Sequence, residues 1–394
     1  MRIQRVTTEM LGELWLEAQR RPDSARPALA AGLMAYAWRA GLDRPERGLP
    51  YLEEAADVMR SLLADGGDEH VDGAFRVISR LALQYSRAHA DELALAARQE
   101  AVALARRAAP RPADVDKKAL LDLARGLAEA GRFAEAVTVQ TEVVELYRDR
   151  GAGDSGALWA LLGLAVYLDR AGRSEASLEA DREALARMRQ MAAEQPVIRP
   201  TLAIRMAGFA LWFTAAAHPR EAGELLREAA AICAGLPAVG SPSGVYMAIQ
   251  AAHFARSGAR AEPAAPGGLL QPVLGQSMYH WSFSVRESYR AGLDAIDQAL
   301  AAQAGDSVAL GDLLRRRAIR VSVLFDEPDR FHEDVMPTLD RAVVLERRLR
   351  AADPAAHPGR LVQALTDQAM ALLVIGDNAG AGRALNEAVD LLGR

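Results

Sequence analysis

The chain has 394 residues, of which 51% are hydrophobic and only 5% are aromatic. This length suits two or three ordinary domains or one extended array of repeats. The abundance of Ala and Leu favours closely packed helices over a large sheet. The formal net charge of −5 supplies no overall attraction to nucleic acid or to an anionic bilayer, so we expect neither as a partner.

Two further features of the composition bear on source and compartment. Lys117 and Lys118 are the only lysines among 47 basic residues, which is typical of a GC-rich, actinobacterial genome. A lone Cys233 excludes an intramolecular disulfide and fits a reducing compartment. The start of the chain lacks a secretory signal, and the longest uncharged stretches, of about a dozen residues, are too short to span a bilayer. The sequence therefore predicts a cytoplasmic bacterial protein.

Apolar residues recur at helical spacing along most of the chain, and Pro/Gly-rich loops such as RAAPRPAD and EQPVIRP separate the helices. In chain order, a helix near 8–20 precedes helical hairpins at about 26–66, 74–109, 116–150, 157–192, 200–235, 245–303, 306–350 and 360–394. The predicted organisation is a capping helix in 1–25, five hairpins in 26–244, a hairpin with an inserted loop at about 258–283 in 245–303, and two hairpins with a C-terminal cap in 304–394.

The segment Gly151–Gly156, GAGDSG, has the spelling of a dinucleotide-binding loop. That loop works only between a strand and a helix, where free N–H groups at the helix start face a pyrophosphate. The preceding segment, FAEAVTVQTEVVELYRDR, shows helical and not alternating spacing. No Gly-Lys-Ser/Thr follows, so a phosphate-binding P-loop is also disfavoured. We interpret GAGDSG as a joint between two hairpins.

A small residue on the second helix of each hairpin gives the register of a repeat. The positions are Ala55, Ala101, Val143, Ala184, Ala229, Ala299, Ala342 and Ala388. Six of the seven intervals are 41 to 46 residues, which indicates a period. The remaining interval, 70 residues, contains the Pro/Gly-rich stretch SGARAEPAAPGGLLQPVLGQ and predicts an insertion between the two helices of one hairpin.

This pattern resembles the tetratricopeptide repeat (TPR), in its long-repeat, kinesin-light-chain-like branch, because the period exceeds the usual length of about 34 residues. The residues that carry the resemblance are Leu123, Ala124, Gly131 and Ala136; Ala82, Ala94 and Ala101; Ala210, Ala222 and Ala229; and Ala369, Gly376, Ala381 and Ala388. Ser177 stands where alanine is expected. The resemblance implies an all-α, right-handed α-solenoid of about eight hairpins, with a concave groove that binds a protein or peptide.

In the family, the first helix of each hairpin lines the concave groove. Carried over to this chain, the groove residues are Trp38, Arg39, Arg76, Ser79, Arg87, Arg125, Trp159, Arg170 and Arg320. Guanidinium groups and indoles suit an acidic or carboxylate-bearing peptide. The alternative stays open that exposed helix positions in an arginine-rich protein hold arginine without a binding role.

The inserted loop ends in an aromatic cluster, in a chain that is otherwise poor in aromatic residues. It contains Tyr279, His280, Trp281 and Phe283. Loops of a solenoid project from the stack, so the cluster packs on a neighbouring hairpin, folds over the groove as a lid, or contacts a ligand. These three alternatives remain open.

The sequence contains no recognisable motif for catalysis. Seven histidines are scattered without H-E-x-x-H or another metal-binding spacing, and consecutive residues such as His332, Glu333 and Asp334 point in different directions on a helix. We expect no catalytic residue, metal or cofactor. The first interpretation is a non-enzymatic scaffold or adaptor for a protein or peptide. The alternatives are a regulatory module that senses a small molecule or signal peptide, and an enzyme housed in the solenoid.

Overall fold

The computed structural model describes residues 7–41, 44–66, 68–107, 113–148, 155–215, 218–239, 283–303, 305–324, 331–354 and 358–392. These residues form 16 α-helices arranged in sequential hairpins, which confirms the predicted all-α, TPR-like fold class. The β contact found among them is an isolated bridge between Val239 and Asp377. The chain divides into two compact units, residues 1–146 and 147–394.

The described residues of the first unit form seven helices. They are α1 (Thr8–Arg20), α2 (Pro22–Ala40), α3 (Pro45–Ala64), α4 (Val71–Arg87), α5 (Asp91–Arg107), α6 (Ala113–Glu129) and α7 (Phe133–Arg148), which ends just inside the second unit. Helices α2 and α3 pair as one hairpin and α4 and α5 as the next, and the second helix of each packs against the first helix that follows it. Helix α1 begins where the Thr7 hydroxyl accepts a hydrogen bond from the Met10 N–H at 3.3 Å.

The second unit contains nine helices among its described residues. They are α8 (Ser155–Arg170), α9 (Ser174–Glu194), α10 (Arg199–Ala215), α11 (Pro219–Ala234), α12 (Phe283–Ala302), α13 (Val308–Leu324), α14 (Met336–Ala352), α15 (Pro358–Ile375) and α16 (Asn378–Leu392). The hairpins are α8–α9, α10–α11, α13–α14 and α15–α16, and α12 packs on α13. We call α8–α11 the first sub-array and α12–α16 the second sub-array.

Four of the turns inside hairpins share one hydrogen-bonding pattern. Its donor and acceptor residues are Ala90 and Tyr85 at 2.9 Å, Arg132 and Leu127 at 2.8 Å, Arg173 and Leu168 at 2.8 Å, and Asp377 and Leu372 at 2.9 Å. The residue before each donor has a left-handed backbone, with φ between 62° and 84°. Glycine fills this place in three of the turns because it adopts the conformation without strain, whereas His89 fills it in the α4–α5 turn.

The small residues that define the repeat are packed inside the hairpins. Ala55, Ala101, Val143, Ala184, Ala229, Ala342 and Ala388 are each at most 4% exposed, and Ala299 is half-buried. Ser177, the departure from alanine, is fully buried, and its hydroxyl donates to the Ala165 carbonyl at 2.7 Å. The repeat tolerates this hydroxyl because the preceding helix supplies an acceptor.

The second helices carry another repeating feature on a solvent-exposed side, which we call the outer surface. An arginine on one second helix pairs with a glutamate 36 to 40 residues later, on the second helix of the next hairpin. The pairs are Arg60–Glu100, Arg106–Glu142, Arg189–Glu228 and Arg347–Glu387. Their recurrence in both units shows that the register of successive hairpins is similar along the chain.

At one place the order of neighbours departs from the order of the chain. Helix α11 packs against α16, and α10 packs against α15. A Cβ placed on Gly382 would lie 3.3 Å from the Cβ of Cys233, and one placed on Gly223 would lie 3.9 Å from Leu392 Cδ1, so α11 and α16 run antiparallel. A simple solenoid would pack each hairpin only against its neighbours in the chain, whereas here hairpin α15–α16 returns to hairpin α10–α11.

Helix α7 precedes the GAGDSG segment, so a helix and not a strand leads into it. Residues 151–154 lie outside the described residues, and α8 starts at Ser155. A dinucleotide-binding loop requires a strand before it, and this segment has a helix instead. No helix in the described ranges is both long enough and apolar enough to cross a membrane.

Candidate functional site

The structure places the nine predicted groove residues on the first helices of their hairpins. They are Trp38 and Arg39 on α2; Arg76, Ser79 and Arg87 on α4; Arg125 on α6; Trp159 and Arg170 on α8; and Arg320 on α13. The first six belong to the first unit and the last three to the second unit. Their surroundings differ, and this difference decides which of them are available to a ligand.

Three arginines follow one stripe of α4. Arg76 and Arg80 are four residues apart and Arg80 and Arg87 are seven apart, so all three lie on the same side of the helix. Arg76 is exposed, and Arg80 and Arg87 are half-buried. Ser79 stays a predicted groove residue, and Arg80, which was not predicted, joins Arg76 and Arg87 through spacings of four and seven residues. We call Arg76, Arg80 and Arg87 the α4 stripe.

Arg80 reaches across to α2 and stacks on Trp38. Its guanidinium carbon lies 4.2 Å from the centre of the indole, and Trp38 is itself 40% exposed. A guanidinium over an aromatic face is held by the ring's negative potential. This contact joins the predicted Trp38 to the α4 stripe and fixes the direction in which the guanidinium points.

The positive charge of the α4 stripe is uncompensated at Arg80. Burial lowers the pKa of Arg80, and the positive charge of Arg87 lowers it further. Within the described ranges, no carboxylate contacts Arg76 or Arg80. An anion beside Arg80 would therefore offset the positive charge that Arg80 faces from Arg87.

Gln84 anchors the stripe to the α2–α3 turn. It is 1% exposed, and its Nε2 donates to the Pro45 carbonyl at 2.9 Å and lies 3.5 Å from the Gly41 carbonyl oxygen. Its Oε1 accepts from Arg87 Nη1 at 3.2 Å. Because both ends of this buried amide are hydrogen-bonded, α4 is held in a fixed rotation relative to α2.

Arg125 has a different environment from the stripe. Its Nη2 lies 2.8 Å from Asp122 Oδ1, and its Nε lies 3.8 Å from Glu129 Oε1. Glu129 also lies 3.2 Å from the nearly buried Arg98. Burial lowers the pKa of Arg98, and the negative charge of Glu129 opposes this shift. The carboxylates in this cluster compensate the charge of Arg125, so the cluster joins α5 to α6 and offers a ligand less than the stripe does.

The second unit repeats the arginine–tryptophan contact, but in its interior. Arg205 on α10 lies 5.5 Å from the ring centre of Trp159 on α8 and is 3% exposed. Every residue of α10 from Thr201 to Phe213 is buried. Arg170 is half-buried, and the half-buried Arg320 packs against Gly292 of α12.

Buried ion pairs connect the helices of the second sub-array. Asp367 is fully buried, and its Oδ2 accepts from Arg315 Nε at 2.7 Å. Burial raises the pKa of Asp367, and the charge of Arg315 opposes that shift. Glu346, which is 2% exposed, accepts from Arg360 Nη2 at 2.7 Å. Each acid is matched by a base on a neighbouring helix, an arrangement suited to fixing the helices and not to proton transfer.

The remaining predicted features fall into two groups. His332, Glu333 and Asp334 lie in a short π-helical turn, Phe331–Val335, and the part of the chain that the structure describes holds no group of three His, Cys, Asp or Glu side chains able to bind a metal. Tyr279, His280 and Trp281 lie outside the described residues. Phe283 is the first residue of α12, and its side chain is also outside them, so the lid stays a prediction.

Comparisons with solved structures return proteins built from helical repeats. A protein of nearly identical TPR-like repeats, assigned to a kinesin light chain of Podosopora anserina, shares 19% identity, over 53% of this chain and 96% of that one, with a TM-score of 0.43. BtubC (BKLC) from P. vanneervenii shares 17% identity, over 67% and 95%, with a TM-score of 0.40. A Rap protein complexed with competence and sporulation factor shares 12%, over 97% and 96%, with a TM-score of 0.34.

The likeness to these three structures carries no conclusion about ligands. A comparison with the curated proteins finds no match. The comparison with family models is more specific, since the tetratricopeptide repeat model matches residues 117–190. This segment runs from α6 to α9 and includes Leu123, Ala124, Gly131 and Ala136, which carry the resemblance. Residues 117–190 therefore carry tetratricopeptide repeat sequence, within a chain of sequential helical hairpins.

Proposed function

We propose that this protein is a non-enzymatic scaffold that binds an acidic segment of a protein or peptide on the inner helices of its first unit. The observation that carries the proposal is the half-buried Arg80 guanidinium, stacked on Trp38 beside Arg87, with no carboxylate partner among the described residues. A carboxylate that bridges Arg80 and its neighbours on the stripe relieves their repulsion and forms charge-assisted hydrogen bonds.

The shape of the contact also favours a particular kind of segment. Trp38 is 40% exposed and leaves part of its indole open beside the guanidinium. An apolar or aromatic side chain next to the ligand's carboxylate would cover this indole, and tryptophan and arginine are the residues that most often dominate binding energy at interfaces. We infer an acidic segment in which Asp or Glu neighbours an apolar residue.

A direct test uses a pool of fluorescein-labelled peptides with an aromatic residue beside Asp or Glu. A control pool of otherwise identical peptides carries Asn or Gln in place of Asp or Glu. We expect the acidic pool to bind and Arg80→Ala to weaken binding at least tenfold, because a hydrogen bond to a charged group contributes about 1.5–3 kcal/mol. Fluorescence anisotropy measures both, and added salt should weaken binding by screening.

The matched control is Arg106→Ala, which removes an outer-surface arginine already paired with Glu142. This variant should bind the acidic pool as the wild type does. Equal binding of the acidic and amide pools would contradict the role of the carboxylate. Failure of both pools to bind, or equal loss in the two arginine variants, would contradict the placement of the site. The ligand-sensing alternative rests on the aromatic cluster outside the described residues and stays a prediction.

A further inference from the structure

The buried amide of Gln84 has only one orientation that satisfies its neighbours. Its Nε2 donates to the Pro45 carbonyl at 2.9 Å, and the Gly41 carbonyl oxygen lies 3.5 Å away. Carbonyl oxygens accept hydrogen bonds and do not donate them, so the amide nitrogen must face the α2–α3 turn. Turning the amide over would set its oxygen against these two carbonyl oxygens. The oxygen Oε1 therefore faces away from the turn.

Two glycines leave the space that this amide occupies. A Cβ added to Gly41 would overlap Gln84 Nε2. A Cβ added to Gly48 would lie 2.5 Å from the Ala37 carbonyl oxygen and 3.3 Å from the same nitrogen. Because a real Cβ does not approach other atoms this closely, the α2–α3 turn is shaped around the Gln84 side chain. The position of the amide is thus fixed by packing as well as by hydrogen bonds.

The fixed amide oxygen holds Arg87 beside Arg80. It accepts from Arg87 Nη1 at 3.2 Å, although Arg87 lies three residues further along α4. This bond draws the Arg87 guanidinium back along the helix, in the direction of Arg80. The positive charge of Arg87 lowers the pKa of Arg80, so the two guanidinium groups are close enough to repel each other.

We propose that Gln84 is a positioning residue that sets the specificity of the acidic-segment site, because it presents Arg87 next to Arg80 as a second contact for the ligand's carboxylate. This inference rests on the proposed function. Trp38 holds the Arg80 guanidinium by stacking at 4.2 Å, and Gln84 holds Arg87 by a hydrogen bond. Both cations are therefore in place before the ligand arrives, which lowers the cost of binding.

The arrangement explains how the site would distinguish an acid from an amide. A carboxylate between the two arginines accepts hydrogen bonds from both and offsets their charges, whereas an amide of the same shape has one acceptor oxygen and no charge. Gln84 is buried, so it acts through Arg87 and does not reach the ligand itself. Without its hydrogen bond, repulsion moves Arg87 away from Arg80, and one cation remains at the carboxylate.

A double-mutant cycle between Gln84 and Arg87 tests the proposal with the acidic peptide pool. Gln84→Met keeps an unbranched side chain of similar length and removes the amide. We expect Gln84→Met and Arg87→Ala each to weaken binding about tenfold, and the double variant to bind within about twofold of Arg87→Ala. The salt dependence of binding should decrease equally in both single variants, because each leaves one cation fewer at the carboxylate. Losses that multiply in the double variant would overturn the proposal.

Gly41→Ala provides a second variant, which displaces the amide without removing it. This change should also weaken binding of the acidic pool, and it should have no further effect when combined with Arg87→Ala. An equal effect of Gly41→Ala with and without Arg87 would show that the turn acts on the site by another route, and would overturn the role of Gln84. This variant also decides the matter if Gln84→Met does not fold.

The matched control is Val77→Ala, which removes buried atoms from the same side of α4 without touching the stripe. It should lower the urea midpoint of unfolding and leave the affinity unchanged, with the helical circular dichroism signal retained in every variant that is compared. Equal weakening by Val77→Ala would make Gln84 a purely structural residue. A wild type that does not bind the acidic pool would contradict the proposed function itself, whereas full affinity in Gln84→Met beside weakened binding in Arg80→Ala would contradict this inference alone.

Discussion

The two units place the same pair of residues in opposite surroundings. In the first unit, Arg80 of α4 stacks on Trp38 of α2 and remains half-buried. In the second unit, Arg205 of α10 stacks on Trp159 of α8 and is 3% exposed. In both units a first helix contacts the first helix of the preceding hairpin, so the contact itself is a property of the repeat.

Helices α4 and α10 also differ in what packs on them. Helix α10 is buried from Thr201 to Phe213, and α15 packs against it. Helix α4 has no such cover among the described residues of its unit, so its stripe keeps partial access to solvent. One repeat architecture can therefore present an arginine–tryptophan pair to a ligand or use it inside a core, according to which other hairpin docks there.

The largest expected contrast lies in the phenylalanines of the two inner helices. Phe209 on α10 is 1% exposed, whereas Phe75 on α4 is half-buried. Phe209→Ala should lower the free energy of unfolding by about 3–5 kcal/mol, because it leaves a cavity in a closed core. Phe75→Ala should cost markedly less, and urea unfolding measures both. Equal losses would mean that α4 is as enclosed as α10.

The arginines give the next contrast. Arg205→Ala removes a long buried side chain that packs on Trp159 and should lower the free energy of unfolding by about 2 kcal/mol, because the truncation leaves a cavity in the core. Arg80→Ala removes a half-exposed contact with Trp38 and should cost about 0.5–1 kcal/mol. Thermal or urea unfolding of the two variants measures both losses in the free energy of unfolding. A larger loss at Arg80 than at Arg205 would assign the first-unit pair to the core and remove the basis of the proposed ligand site.

The features that the sequence predicted are those set by local sterics. Alanine at the helix crossings and glycine in the hairpin turns are required by close backbones and by a left-handed φ, so Ala136 and Gly131 could be identified from their spacing. Arg80 was not among the predicted groove residues, and the neighbouring Ser79 lies off the stripe, because one residue rotates the side chain by about 100° around a helix. The stripe can be recognised in the sequence only when the spacings among Arg76, Arg80 and Arg87 are considered together.

The return of the last hairpin to the fifth could not be predicted from the repeat. Periodicity describes the relation of each hairpin to the next, whereas α11 and α16 meet over a large separation in sequence, 141 residues between Pro237 and Asn378. The stacking faces of different hairpins are chemically similar, and the small residues Gly223 and Gly382 fit the pattern of any hairpin. The partner of a stacking face is therefore a property of the folded chain.

The turns should respond alike in the two units, since their geometry is shared. Gly131 and Gly172 have φ of 74° and 77°, and nothing lies within 4 Å of a Cβ added to either. Each change to alanine should therefore cost only the left-handed strain, about 1–2 kcal/mol. His89→Gly should act in the opposite direction, because His89 already carries that strain at φ 62°. Unequal costs at Gly131 and Gly172 in urea unfolding would show that the turns are not equivalent.

The smallest effect is expected on the outer surface, where the units are most alike. Arg60–Glu100 and Arg189–Glu228 have similar exposure, with side-chain values of 45% and 31% in the first pair and 43% and 40% in the second. Double-mutant cycles to alanine should give coupling energies of about 0.2–1 kcal/mol for both, reduced by salt, because exposed ion pairs are screened by solvent. A coupling energy several times larger in one unit would show that the units also differ on their outer surfaces, and that the cover over α10 is not the sole origin of the contrast between Arg80 and Arg205.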